Sequence, residues 1–207
     1  MEVFNMKSII LVIALSSLLS LYNVEATSRP VDAPAPAPAA KAQTPAPPLS
    51  DKAIENVQRF CSRTQYPSEC VKSVAPFVND TQVDVHGVLR AGIQSLTQRL
   101  KKAIQAFEKT KGESKAPDVA EKLEVCLAYY RVATTSAADA SEAVEIKNYK
   151  QVKEELDRQL EVIGSCDDLF AESVKGVKGT LDDMNNALSL LAKVNLAIFN
   201  NALVVAP

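Results

Sequence analysis

Four cysteines constrain the fold of this chain more than any other feature. Cys61 and Cys70 bracket the short segment CSRTQYPSEC, whereas Cys126 and Cys166 lie far apart in a region of helical patterning. An even number of cysteines in a secreted chain indicates disulfide bonds, and four cysteines allow three pairings. A metal site is the alternative, but the chain lacks a Cys-x-x-Cys spacing and has a single histidine, His86, so we expect no metal.

The predicted turns favour one of the three pairings. Proline at position 67 blocks helix continuation, so a turn there brings the first two cysteines opposite each other. If two antiparallel helices meet near Ile146, the other two cysteines face each other, because each lies twenty residues from it. We therefore expect the bonds Cys61–Cys70 and Cys126–Cys166. A loop-closure estimate gives them at most about 2.7 and 3.9 kcal/mol of stabilisation.

The N-terminal residues predict a secretory signal. Lys7 is followed by an apolar run at 9–21 and by small residues before Ala26. We interpret residues 1–26 as a cleaved signal peptide rather than a membrane anchor, because serines interrupt a run shorter than the roughly 20 apolar residues of a spanning helix. The mature chain is therefore expected to be secreted and extracellular, without membrane association.

Composition separates a tether from a folded domain. Residues 27–49 hold seven of the 11 prolines and predict an extended Pro/Ala-rich linker. The whole chain has 23 basic and 25 acidic residues and a net charge of −2, which becomes −1 without the signal peptide. This balance argues against nucleic acid as a partner. The basic cluster Arg99, Lys101 and Lys102 is interpreted as a solvated helix face.

Residues 50–207 predict one all-α domain. Short helices at 51–60 and 67–77 are expected to form an N-terminal disulfide-closed helical hairpin. Apolar residues at spacings of three and four predict longer helices at 84–110, from Pro117 onward, at 148–171 and at 180–203. Their breaks at 111–112, 147–148 and 176–179 are short, so neighbouring helices should be antiparallel. We predict an up-down-up-down four-helix bundle.

The chain carries no recognisable catalytic motif. It has no GxSxG, HExxH or phosphate-binding glycine loop, and nothing near His86 forms a nucleophile–base pair. The adjacent acids Asp167–Asp168 and Asp182–Asp183 point in different directions on a helix, and we interpret them as surface and helix-terminus charges. We predict a protein that is not an enzyme and has no cofactor.

Four motifs in order resemble the plant invertase and pectin methylesterase inhibitor family. They are CSRTQYPSEC at 61–70, LEVCLAYY at 123–130, CDDLF at 166–170 and NNALSLL at 185–191. The resemblance extends over the whole domain. It implies a helical hairpin on a four-helix bundle, the same two disulfide pairs, and a plant cell-wall enzyme as protein target.

The target class depends on one turn. Invertase inhibitors of this family insert a Pro-Lys-Phe segment between the second and third bundle helices, but residues 145–150 read EIKNYK. The difference favours an inhibitor of pectin methylesterase, which the family covers with helices of the bundle. Two alternatives stay open: an inhibitor of acid invertase, and a non-inhibitory cell-wall binding module of the same fold.

Candidate partner contacts lie on the second bundle helix and beside the turn that follows it. We place Tyr129, Thr135, Asp139 and Glu142 on one exposed side of that helix. Asn148, Tyr149 and Lys153 lie close to the turn. Tyrosine supplies a large contact area, and the charges can pair with residues of a cleft. Separately, Asn79 begins an Asn-x-Thr sequon in a predicted loop and is a candidate glycosylation site.

Overall fold

The computed structural model of the chain describes residues 50–78, 83–171 and 179–202, and every regular element within these ranges is helical. The predicted signal peptide, the predicted linker and the sequon at Asn79 all lie outside the described residues. In the part that is described, no helix has both the length and the apolar character needed to cross a membrane.

The first two helices form a hairpin closed by a disulfide bond. Ser50 is the N-cap of helix α1 (Asp51–Cys61), and its hydroxyl accepts a hydrogen bond from the Ala53 amide at 3.3 Å. Helix α2 (Pro67–Val74) continues as a single 3-10 turn (Ala75–Phe77), not as the α-helix predicted to residue 77. The reason is that Pro76 has no N–H to continue the α-helical hydrogen bonds. The Cys61–Cys70 bond joins Cα atoms 5.5 Å apart.

Four long helices form the bundle. They are α3 (Val85–Glu113), α4 (Pro117–Glu145), α5 (Tyr149–Ala171) and α6 (Thr180–Ala202). Each packs against its neighbours in chain order, and α6 packs back onto α3, so the helices form a closed ring of four. The hairpin packs on the side formed by α3 and α6. The predicted up-down-up-down bundle with an N-terminal hairpin is confirmed.

Helix boundaries differ from the prediction at both ends of α3, where Asp84 is the N-cap and not the first helical residue, and at the start of α5. Helix α3 runs through Gly112 to Glu113, because a single glycine weakens an exposed helix without ending it. Pro117 then starts α4 at the first helical position, where a missing N–H costs nothing. Asn148 precedes α5 and does not belong to it. Its side chain accepts a hydrogen bond from the Gln151 amide at 3.3 Å, which makes it the N-cap.

The turn between α4 and α5 has a defined geometry. The Asn148 amide donates to the Ala143 carbonyl at 2.9 Å, and the Lys147 amide donates to the Val144 carbonyl at 3.2 Å. These are the two hydrogen bonds of a Schellman C-cap, in which one residue adopts the left-handed conformation. That residue is Lys147, with φ of 56°. The second disulfide, Cys126–Cys166, joins α4 to α5 with Cα atoms 5.2 Å apart, as expected from the position of this turn.

The core consists of two apolar clusters, each with one disulfide. The hairpin-end cluster includes Cys61–Cys70, and the far-end cluster includes Cys126–Cys166. On α3, α4 and α5 one buried polar residue lies in sequence between members of the two clusters, and on α6 a buried asparagine follows the first hairpin-end member: Ser95, Ser136, Gln159 and Asn195. We call these four residues the polar layer. Within the described ranges, the side-chain amides of its last two members make no hydrogen bonds.

Candidate partner-binding face

Motif residues from three helices meet in a buried hydrogen-bond network beside the second disulfide. The Tyr130 hydroxyl donates to Asn185 Oδ1 at 2.7 Å, and the Asn185 amide donates to Asp167. Ser189 donates to the other carboxylate oxygen of Asp167 at 2.9 Å. The Cys166 sulfur lies 3.4 Å from the Tyr130 oxygen. The network thus fastens α4, α5 and α6 together.

The network gives Tyr130 and Asp167 defined structural roles. Burial raises the pKa of the Tyr130 hydroxyl above its usual value, and the Asp167 carboxylate raises it further, so the tyrosine stays a neutral donor. Its ring also meets Phe107 edge-on at 5.0 Å between centroids. The interpretation of Asp167 as a surface charge was wrong, because this carboxylate accepts from two neighbouring side chains. Asp168 beside it is exposed.

The four candidates on α4 do not share one exposed strip. Thr135 and Glu142 are exposed, and Asp139 is half-buried. Tyr129 is half-buried and packs against the far-end cluster. Six residues correspond to a rotation of roughly 240° along a helix, so Tyr129 lies on a different side of α4 from Thr135. Tyr129 therefore contributes to the edge of the core more than to the outer surface, which corrects its placement on the exposed side.

The three candidates near the turn have structural partners. Asn148 caps α5, and its amide also donates to the Gln151 side chain at 3.1 Å. The Tyr149 hydroxyl lies 2.8 Å from His86 Nε2 at the start of α3. Lys153 donates to Asp157 at 2.6 Å. Within the described ranges, no hydrogen bond or ion pair joins two of the seven candidate side chains.

The outer surface of α4 and α5 carries exposed apolar side chains that the sequence analysis did not select. Val125 and Val132 on α4 are 36% and 42% exposed, and Ile146 at the turn is 65% exposed. Val132 borders a shallow depression of about 600 Å³, whose other lining residues lie on α5: Glu154, Asp157, Arg158, Glu161 and Val162. The spacing of the two valines by seven residues, outside the core stripe, could have revealed this surface. We call it the α4–α5 face.

The chemistry of the α4–α5 face suits protein binding. Apolar side chains surrounded by charged ones are typical of the centre and rim of a protein interface. Glu154, Asp157, Glu161 and Arg158 line the depression, and Lys150 and Lys153 form ion pairs with the first two carboxylates, so charges of both signs surround it. No group of three His, Cys, Asp or Glu side chains that could hold a metal ion occurs among the described residues.

Comparisons with known proteins agree with this architecture. The family model described as plant invertase/pectin methylesterase inhibitor matches residues 55–198. The fold is similar to a mutant form of a pectin methylesterase inhibitor from Arabidopsis, with a TM-score of 0.61 and 16% identity over 70% of this chain and 95% of that one. A pectin methylesterase inhibitor from Arabidopsis thaliana gives a TM-score of 0.54 and 15% identity over 72% and 96% of the two chains. Among curated proteins, none matches this chain.

Proposed function

Because this chain belongs to the plant invertase/pectin methylesterase inhibitor family, we propose that it is a secreted inhibitor of a plant cell-wall pectin methylesterase. Members of this family inhibit a pectin methylesterase or an invertase and are not enzymes themselves.

The α4–α5 face is the observation that carries the proposal. Val132 beside the shallow depression, with the exposed Val125 two turns away on α4, offers an apolar centre, and the charged side chains around the depression offer a polar rim. We assign the partner contacts to this face and to the turn at its end. The assigned residues are Tyr129, Thr135, Asp139, Glu142, Asn148, Tyr149 and Lys153, with Tyr129 at the inner edge.

The turn after α4 supports pectin methylesterase over acid invertase. It has no Pro-Lys-Phe segment, and the hydrogen bonds of its backbone end one helix and lead directly into the next. Lys147 occupies the left-handed position, and Asn148 caps α5. A turn of this kind presents the Ile146 side chain outward but offers no extended loop for insertion into a sucrose pocket.

The remaining parts of the proposal concern the cellular setting. Proteins of this family are typically extracellular. In keeping with that, residues 1–26 act as the signal peptide, residues 27–49 as a linker and residues 50–207 as the inhibitor domain, in the apoplast or cell wall. Asn79 is N-glycosylated in the native protein. Glycosidase treatment of plant-expressed protein should lower its mass, and an unchanged mass would contradict this assignment.

A titration against two enzymes tests the function. The full mature chain is added separately to a pectin methylesterase and to an acid invertase, while residual activity and complex formation on gel filtration are measured. We expect loss of pectin methylesterase activity alone. Loss of invertase activity alone would assign the other target, and a complex without loss of activity would indicate a non-inhibitory binding module.

A matched pair of variants tests the face. Val132→Asp places a charge in the proposed interface and should weaken inhibition at least about tenfold, equivalent to 1.4 kcal/mol. Ile54→Asp makes the same kind of change at an exposed side chain of α1, on the opposite side of the bundle. It should leave inhibition unchanged. Equal effects of the two substitutions would contradict the α4–α5 face as the contact surface.

A further inference from the structure

A second pocket lies where the hairpin meets α3 and α6. Its volume is about 380 Å³, within the range of roughly 300–1,000 Å³ of small-molecule sites. In the closed ring of four helices, the α3–α6 side is opposite the α4–α5 side. We propose that this pocket binds an acidic saccharide, a short chain of uronic acid units, as a second function separate from enzyme inhibition.

Three cations surround the pocket without a carboxylate among its lining residues. Lys72 comes from α2, and Arg99 and Lys102 come from α3. The latter two are three residues apart, so they lie on the same face of the helix. Within the described ranges none of the three forms an ion pair with a carboxylate, so no side chain there neutralises their charge. The arrangement favours an anion, since like charges are brought together without compensation.

The neutral lining narrows the class of anion. Leu188 is buried and, with Phe77 and Met184, gives the pocket an apolar wall, while Ser95 and Gln98 add a hydroxyl and an amide. Inorganic phosphate would make no use of the apolar wall. A uronic acid ring matches each part, because it has an apolar C–H face, several hydroxyls and one carboxylate.

The choice of uronide over other acidic ligands rests on the proposed function. A pectin methylesterase hydrolyses methyl esters of uronic acid units and releases carboxylates, so its product carries the charge that this pocket favours. A protein that held de-esterified chains on its α3–α6 side could inhibit the enzyme with its α4–α5 side at the same time. The pocket would thus concentrate the inhibitor where the enzyme has already acted.

Binding is tested without any enzyme, so its failure is distinguishable from failure of the inhibitor proposal. The full mature chain is titrated by calorimetry with a fully de-esterified oligogalacturonide and with its fully methyl-esterified counterpart. We expect binding of the charged oligosaccharide only, with affinity that falls as salt is raised. Equal binding of the esterified form would overturn the proposal, because the cations would then have no role.

Adjacent lysines provide a matched control for net charge. Lys102 lines this pocket, whereas Lys101 lines a different depression between α3 and α4. Lys102→Ala together with Arg99→Ala should weaken binding at least about tenfold, and Lys101→Ala together with Arg90→Ala should change it less than about twofold. Equal losses of affinity in the two double variants would show that binding depends only on the net charge of the protein, and would contradict the pocket as the binding site.

Two further measurements test whether the ligand fills the pocket and which class of acidic ligand it is. Ala187→Leu fills part of the pocket from α6 without changing charge and should also weaken binding; unaltered affinity would contradict the site. Poly-glutamate of similar charge should bind more weakly than the oligogalacturonide, and equal binding would make the occupant an acidic peptide instead. Unchanged melting temperatures exclude misfolding. Inhibition of pectin methylesterase should be the same for the pocket variants at residues 99, 102 and 187.

Discussion

The Tyr149 hydroxyl lies 2.8 Å from Nε2 of His86, although 63 residues separate the two in the chain. Their rings also stack, with centroids 5.9 Å apart. On its other side, His86 Nδ1 is 3.7 Å from the Asp84 carboxylate that caps α3. The contact holds a half-exposed tyrosine in one position beside the turn after α4. A side chain fixed before binding loses less conformational entropy when a partner covers it.

Truncation of this tyrosine should weaken inhibition without unfolding the protein. For Tyr149→Ala we expect about a thirtyfold rise in the inhibition constant against pectin methylesterase, equivalent to about 2 kcal/mol for a tyrosine that the enzyme covers completely. The unfolding free energy should change by about 0.5 kcal/mol or less, as is usual at a surface. Enzyme titration and thermal melting give the two values.

Two companion variants make the tyrosine test decisive. His86→Ala removes the hydrogen bond but keeps the tyrosine ring, so its loss of inhibition should be smaller. Asp139→Lys reverses a charge on α4 and should weaken inhibition independently. Full inhibition by the combined Tyr149→Ala and Asp139→Lys variant would show that the enzyme binds elsewhere on the bundle.

Adjacent aspartates should differ sharply in their contribution to stability. Asp167→Ala leaves the Asn185 amide and the Ser189 hydroxyl without their acceptor, in a buried site, and should cost about 1–3 kcal/mol. Asp168→Ala removes an exposed carboxylate one residue away and should cost about 0.5 kcal/mol or less. Denaturant titration of both variants provides the comparison. Similar costs would contradict the hydrogen-bond network.

Gly92 should be required because Asn195 packs against it. A Cβ atom at Gly92 would collide with the side-chain oxygen of Asn195 and lie 3.3 Å from its Cγ. Asn195 is fully buried, so it cannot swing away freely. Gly92→Ala should therefore destabilise the bundle by about 1–3 kcal/mol, although alanine has a higher helix propensity than glycine.

A double-mutant cycle tests that explanation directly. Asn195→Ala removes the colliding group, so Gly92→Ala should cost much less in that background. The coupling is obtained from the unfolding free energies of the two single variants, the double variant and the native chain. Additive costs would mean that Gly92 is needed for a reason other than this contact.

Lys147→Gly should stabilise the protein. A residue with a side chain pays about 1 kcal/mol in the left-handed region, whereas glycine adopts it readily. Replacement should therefore raise the unfolding free energy by up to about 1 kcal/mol. Lys150→Gly is the control, because it removes the same charge from the first turn of α5 and should destabilise. A destabilised Lys147→Gly variant would indicate that the lysine side chain itself supports the turn.

Periodicity and turn chemistry were sufficient to predict the bundle from the sequence. Apolar spacing gave the long helices, and the symmetry of the cysteines about Ile146 gave the pairing found in the structure. The predicted break at Gly112 was wrong, because a single glycine inside a helix lowers its stability by only about 1 kcal/mol and does not end it. Asp167 was misinterpreted because its two donors come from α6, and no local pattern reports such a contact.

The surface was harder to predict than the core. The exposure of Tyr129 depends on how closely it packs against the far-end cluster, and the partner of Tyr149 is a histidine at the start of another helix. The basic cluster on α3 is exposed, as predicted, but the approach of Lys72 from the hairpin to Arg99 and Lys102 was not visible in the sequence. Such features arise only when distant segments meet in the folded chain.

The polar layer has a consequence for how cooperatively this protein opens. Each apolar cluster adjoins the polar layer and contains its own covalent bond, so we expect the two ends of the bundle to open at different free energies. Removing the hairpin bond by a Cys61→Ala and Cys70→Ala double change should therefore speed amide hydrogen exchange near Val57 and Ile198 while sparing the region of Leu123 and Ile163. Uniform acceleration throughout would show a single cooperative unit. Partial opening at the hairpin end would leave the Tyr130 network, and the helices that it fastens, intact.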